Sequence, residues 1–185
     1  MDKLDQRETA LDPLSPSMKG IVPFILLRAG RCDEALDQFQ KIHHEYPPYI
    51  PAANNIGVAL ICKGLYREAA AEFEKTVPLQ DAPERASFAV LAFAYAKSGR
   101  REKAQEMLRT LQEESSRRHI DPVNFAIIHA GLGDNDRAFD SLGKAYKDRS
   151  GPPFVHLQSI APIALETLRS DPRWPDFARR KGLVY

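Results

Sequence analysis

The sequence predicts an all-α protein, an α-solenoid in which one helix–turn–helix unit recurs about four times. Three observations predict it. Glycines stand at positions 30, 64, 99 and 133, spaced by 34, 35 and 34 residues. Around each glycine the same residues recur: alanine five later (Ala35, Ala69, Ala104, Ala138) and a bulky apolar residue nine later (Phe39, Phe73, Leu108, Leu142). Seven before each comes a small or helix-limiting residue (Pro23, Gly57, Ala92, Ala126), preceded by Val22, Ile56, Leu91 or Phe125. Finally, the residues on either side of the glycine keep helical spacing. In Asn55–Phe73, Ile56, Gly57 and Leu60 form one stripe before Gly64, and Ala69 and Phe73 lie four apart after it.

Each residue type has a physical reason to be where it is. A glycine between two helices takes the left-handed conformation that ends the first helix without a Cβ clash. A small residue in the second helix lets its partner approach closely, and the bulky residue one turn later fills the space beneath. A helix pair of this kind cannot bury its apolar face alone, so stacked neighbours complete the core.

In chain order, residues 1–15 read as an N-terminal remnant or frayed helix, with Ala10–Pro16 like the end of a second helix and its Pro-rich joint. The repeats then run over about 16–49, 50–84, 85–118 and 119–153. The first helix of repeat one, Met18 to Ala29, carries Pro23 in its interior and should kink there. Its second helix, Cys32 to Glu45, opens with Asp33 and Glu34, which suit a helix N-terminus. Pro78 ends the second helix of repeat two, and Asp81-Ala-Pro83 starts the next. Repeat three has an alanine-rich first helix with Tyr95 four before its glycine, where Leu26, Leu60 and His129 stand in the other repeats. Its charged end, Glu113 to Arg118, reads as solvated. Asp121-Pro122 opens repeat four as N-cap and first-turn proline. Residues 154–185 form a C-terminal cap: Phe154 to Ala161 irregular, Pro162 to Arg169 a short helix, then a terminal helix capped by Asp171 with Pro172 first. Gly182 ends it after the cationic turn Arg179, Arg180 and Lys181. Leu165, Leu168, Trp174 and Phe177 are its apolar lid over repeat four.

Composition narrows the function classes. Apolar content of 43% and charged content of 28% fit a globular chain. A net charge of +1 argues against a dedicated nucleic-acid binder, which carries a basic face. Met1-Asp-Lys-Leu-Asp-Gln-Arg7 is charged and unlike a secretory signal, and the longest apolar stretch, Phe88 to Ala96, is too short for a bilayer. With two cysteines, Cys32 and Cys62, and no CxxC, the expectation is two reduced thiols in a cytoplasmic protein.

No constellation of residues points to catalysis, a cofactor or a metal. His43 and His44 are adjacent and face different sides of a helix, so they share a metal poorly, and no H-E-x-x-H pairing exists. His129 falls on the core stripe and reads as a packing histidine. No P-loop, GxGxxG or GxSxG occurs, and Gly131-Leu-Gly133 is a helix turn. The chain is therefore not expected to be an enzyme.

The Gly and Ala-x3-bulky pattern resembles the tetratricopeptide repeat, whose signature is L-G-x2-Y followed by A-x3-F at a 34-residue period. The resemblance implies a right-handed solenoid with C-terminal capping helices. The tail is more specific: Asp121-Pro122, Ala130-Gly-Leu-Gly-Asp134, Ala138-Phe139, Lys144-Ala-Tyr146, Arg149-Ser-Gly151 and Leu168 to Trp174 resemble the C-terminal end of such arrays in bacterial multidomain regulators. There the arrays follow winged-helix, Ser/Thr kinase or adenylate-cyclase domains, and no such effector is present in this sequence. The resemblance implies a protein-interaction or sensory module that binds a protein or peptide with apolar anchors, with self-association as a further expectation.

Carried over by position, the concave face of the first helices holds Phe24, Leu27 and Arg28, then Asn54, Val58, Ile61 and Cys62. It continues with Ala89, Phe93 and Lys97, then Val123 and Ile127. The carboxylate-gripping groove known in the family uses lysine, arginine and asparagine. Only Asn54, with Asn55 beside it, matches that set, so a carboxylate clamp is not expected. The alternative readings are a homo-oligomeric structural module, in which a second subunit covers this face, and a nucleic-acid-associated helical repeat. Pentatricopeptide arrays share the period and bind RNA one base per repeat, but an apolar groove and near-neutral charge weigh against RNA here.

Overall fold

A computed structural model describes residues 15–79, 86–147 and 166–180. Among them every regular element is helical. The chain divides into two compact units, Met1–Thr76 and Val77–Tyr185.

The first unit contains α1 (Pro16–Lys19), α2 (Ile21–Arg28), α3 (Cys32–Glu45), α4 (Ile50–Cys62) and α5 (Tyr66–Thr76). Ser15 caps α1, its hydroxyl accepting from the Met18 N–H at 3.4 Å. The break in the first helical stretch falls at Gly20, three residues before the proline expected to kink it. Pro23 is the third residue of α2, in the first turn, where a missing N–H costs little. α2 packs on α3, α3 on α4 and α4 on α5. Ala35, Leu36, Phe39 and Ile42 of α3 share a core with Leu26 of α2 and Ala52, Ile56 and Ala59 of α4. Phe24 meets Phe39 edge-on, ring centroids 5.4 Å apart.

The second unit begins with a 3-10 turn, Val77–Leu79, and contains α6 (Ala86–Lys97), α7 (Arg101–Ser115), α8 (Pro122–Leu132), α9 (Asn135–Lys147) and α10 (Trp174–Arg180). α6 packs on α7 and α8, and α8 on α7 and α9. α8 is apolar nearly all round and buried nearly throughout, as such a helix must be. Asp121 caps it, accepting from the Val123 N–H at 2.9 Å, with Pro122 first in the helix.

The turns repeat one geometry. Gly30, Gly64, Gly99 and Gly133 have φ of 71°, 74°, 86° and 76°. After each glycine the next N–H reaches back five residues to a helix carbonyl: Arg31 to Leu26, Leu65 to Leu60, Arg100 to Tyr95 and Asp134 to His129, at 2.8–2.9 Å. This is the Schellman closure, which satisfies carbonyls a helix end otherwise leaves bare. The alanines five after the glycines have 0% exposure. Phe39, Phe73 and Leu142 are buried as expected, but in α7 the buried residue is Leu111, with Leu108 only half-buried.

The C-terminal residues join the core of α8 and α9. Leu168, Trp174 and Ala178 pack with Ala126, Ala130, Ala138 and Leu142, and Phe139 and Phe177 lie against them. The terminal helix starts at Trp174, two residues later than the sequence suggests, because Pro172 and Arg173 form a turn held by Asp171. Leu165, Asp81–Pro83, Gly182, Phe154–Ala161 and the N-terminal remnant up to residue 14 lie outside the described residues.

Candidate functional site

The first helices were expected to present a binding face, and burial divides that face sharply. In the first unit, Val58 and Ile61 of α4 are 2% and 3% exposed. Phe24 and Leu27 of α2 are partly buried against the core, and Arg28 is exposed. Asn54 is half-buried, and its side-chain Oδ1 is shielded from solvent with no hydrogen-bond partner among the described residues. In the second unit, Phe93 and Ile127 are 2% and 4% exposed, with Ala89 and Val123 also buried. Lys97 is half-buried, its Nζ 5.9 Å from the Phe93 ring centroid. Val58, Ile61, Phe93 and Ile127 are thus interior residues. The predicted face residues that are half-buried or exposed are Phe24, Leu27, Arg28, Asn54 and Cys62 in the first unit and Lys97 in the second.

The closeness of the helix packing is visible at Gly57. A Cβ there would stand 2.6 Å from the Phe73 ring, so that ring of α5 lies directly on the α4 backbone. A first helix in this arrangement has neighbours on more than one side, and sequence position alone does not show which of its faces stays open.

Cys62 is not a free groove residue. Its Sγ is bonded to that of Cys32, with Cα atoms 5.8 Å apart, which corrects the expectation of two reduced thiols. The disulfide ties the first residue of α3 to the last of α4. The flanking residues add an ion pair, Lys63 Nζ to Asp33 Oδ1 at 2.5 Å. Thirty residues separate the cysteines in sequence, and no spacing rule signals such a pair.

The charged clusters of the surface are structural. Arg173 donates to Asp171 from Nε at 2.9 Å and from Nη2 at 2.8 Å, and to Asp136 from Nη1 at 2.5 Å. It also stacks 4.7 Å from the Phe139 ring centroid. Its side-chain bonds, then its backbone N–H, hold the Asp171 carboxyl far below the usual carboxylate range, helped by Asn135. These bonds fasten the turn before α10 to α9. Arg101 Nη1 donates to the Leu132 carbonyl at 2.8 Å, closing the C-terminus of α8. His129 is buried, and burial pushes its imidazole toward the neutral form. The described residues contain no group of three His, Cys, Asp or Glu side chains placed to hold a metal. No helix among them is long and apolar enough to cross a membrane.

One surface feature escaped the sequence reading. Met18, Ile21, Val22 and Ile25 are 40–60% exposed and lie on one side of α1 and α2. Their spacing of three, four and seven was present in the sequence. Compared with known proteins, the chain matches no family model and no curated protein.

Proposed function

We propose that the chain is a non-catalytic helical-repeat scaffold of the tetratricopeptide type, a right-handed solenoid of about four repeats that binds a protein or peptide. The observation that carries this reading is the recurrence of one helix-pair geometry at Gly30, Gly64, Gly99 and Gly133, each with its fully buried alanine. Repeated pairs of this kind spend their side chains on stacking and leave a row of first-helix positions for a ligand. The tail pattern from Asp121 to Trp174 further supports a place in a bacterial regulatory protein.

The accessible first-helix residues refine the expected ligand. With Val58 and Ile61 buried, a partner of the first unit would meet Phe24, Leu27 and the polar groups Arg28 and Asn54. In the second unit, with Phe93 and Ile127 buried, Lys97 is what the predicted face leaves. Asn54, half-buried, is the residue of this face whose amide suits the backbone of an extended peptide. A display library of extended peptides, screened against the full chain at two salt concentrations, tests the reading. Enriched peptides should lose affinity at least severalfold with Asn54→Leu or Arg28→Glu. A library yielding no binder, while labelled single-stranded RNA binds at low salt, would overturn it in favour of nucleic-acid handling.

A further inference from the structure

Met18, Val22 and Ile25 are exposed on α1 and α2, yet they stand at positions that are buried elsewhere in the chain. Shifted by the 34 residues between Gly30 and Gly64, they correspond to Ala52, Ile56 and Ala59 of α4. Those three are buried in the core shared with Ala35, Leu36, Phe39 and Ile42 of the preceding helix, α3. In the second unit, α8 likewise packs against the helix before it, α7. The outer face of α2 therefore has the composition of a face that receives a preceding second helix. Among the described residues of the first unit, α2 packs on α1 and α3.

Residues 1–14 carry the complementary pattern. Aligned on the prolines, Pro13 and Pro16 match Pro48 and Pro51, a shift of 35 residues. Leu4 then falls where Phe39 stands, and Leu11 and Leu14 fall where Tyr46 and Tyr49 stand. Phe39 belongs to the α3–α4 core, and both tyrosines pack against it. Charge agrees as well. Residues 1–14 contain four carboxylates and two cations, whereas residues 15–29 contain Lys19 and Arg28 and no carboxylate. In sequence the segment is followed directly by Ser15, the N-cap of α1.

We propose that the chain's own first fourteen residues dock on the face formed by Met18, Ile21, Val22 and Ile25, as α3 packs on α4. A second copy fits less well. An isologous contact through α2, a helix of eight residues, would fall well short of the roughly 1,200–2,000 Å² that a stable specific interface buries. The docked segment is tethered at the edge of the face, so its effective concentration is high without any partner. The inference is independent of which ligand the scaffold binds.

Hydrogen–deuterium exchange on the full chain tests it, with sedimentation to report the oligomeric state. In the monomer, amides of residues 4–11 should exchange at least tenfold more slowly than an unstructured chain. Ile25→Asp, a change at an exposed side chain, should abolish that protection while leaving residues 91–95 of α6 unaffected. Leu4→Asp should do the same from the other side and should also speed exchange in α2. Unstructured-chain exchange over residues 4–11 in the parent would overturn the proposal. So would a dimer whose protection of α2 depends on protein concentration, since a second copy would then be the occupant.

Discussion

Gly131 of α8 lies so close to Phe93 of α6 that a Cβ at position 131 would stand 2.9 Å from both the Phe93 Cα and its ring Cδ2. The Cα belongs to a helix backbone that cannot swing aside. Gly131→Ala should therefore lower stability by about 1–3 kcal/mol through overpacking, read as a shift in the urea midpoint. A variant that unfolds with the parent would mean that α6 and α8 do not approach this closely.

Two other glycines separate backbone strain from crowding. Gly64 has φ of 74° with open space around its missing side chain, whereas Gly143 lies inside α9, also with nothing near. Gly64→Ala should destabilise by roughly 1 kcal/mol, the order of the left-handed penalty for an L-residue. Gly143→Ala should stabilise by about 0.5–1 kcal/mol, the usual difference between the two in a helix. Thermal melts of the pair should move in opposite directions.

How far the sequence foretold these features depends on the range of the interaction behind each. The turn glycines and their buried alanines were legible because a left-handed residue and a close helix crossing each demand one residue type. The all-helical class followed from the same periodicity. Leu111 was not legible as the buried anchor of α7, since the repeat spacing marks Leu108 and the choice rests on the residues α7 meets. Burial of Val58, Ile61, Phe93 and Ile127 comes from neighbours distant in sequence, and so does the pairing of Cys32 with Cys62.

Leu111→Ala should thus cost about 2–5 kcal/mol, the range for emptying a fully buried leucine site. Leu108→Ala removes a half-buried side chain and should cost distinctly less. Equal losses in chemical denaturation would restore Leu108 as the anchor.

Acid should weaken the fold in two windows. Burial depresses the pKa of His129, opposed by the Asp134 charge and aided by Arg137. Below its ordinary value near 6.5 the unfolded chain then takes up a proton that the folded chain refuses. Stability contributed by the neutral imidazole is present above about 6.5 and is lost as pH falls to the folded value. His129→Gln should flatten that part of the stability–pH curve. Asp171 acts lower down: its carboxylate is held ionised by Arg173, so its contribution is present above the ordinary carboxylate range and is lost in strong acid. Asp171→Asn should remove this second slope and leave the first. Denaturant titrations at a series of pH values report both.

The disulfide sets a further expectation. Replacing Cys32 and Cys62 together with serine should lower stability by roughly 2–4 kcal/mol, the typical worth of a cross-link closing a loop of this order. Reduction of the parent should produce a similar loss in the same melt, and no loss would mean that the thiols are unlinked in solution.

The same bond changes what a protease can release. The connection between α3 and α4, around the exposed Pro47 and Pro48, lies inside the loop that Cys32 and Cys62 close. A single cut there leaves both pieces covalently joined, so the nicked chain gains only the mass of one water. On a non-reducing gel it would migrate as one species, and two fragments would separate only after a thiol reductant is added.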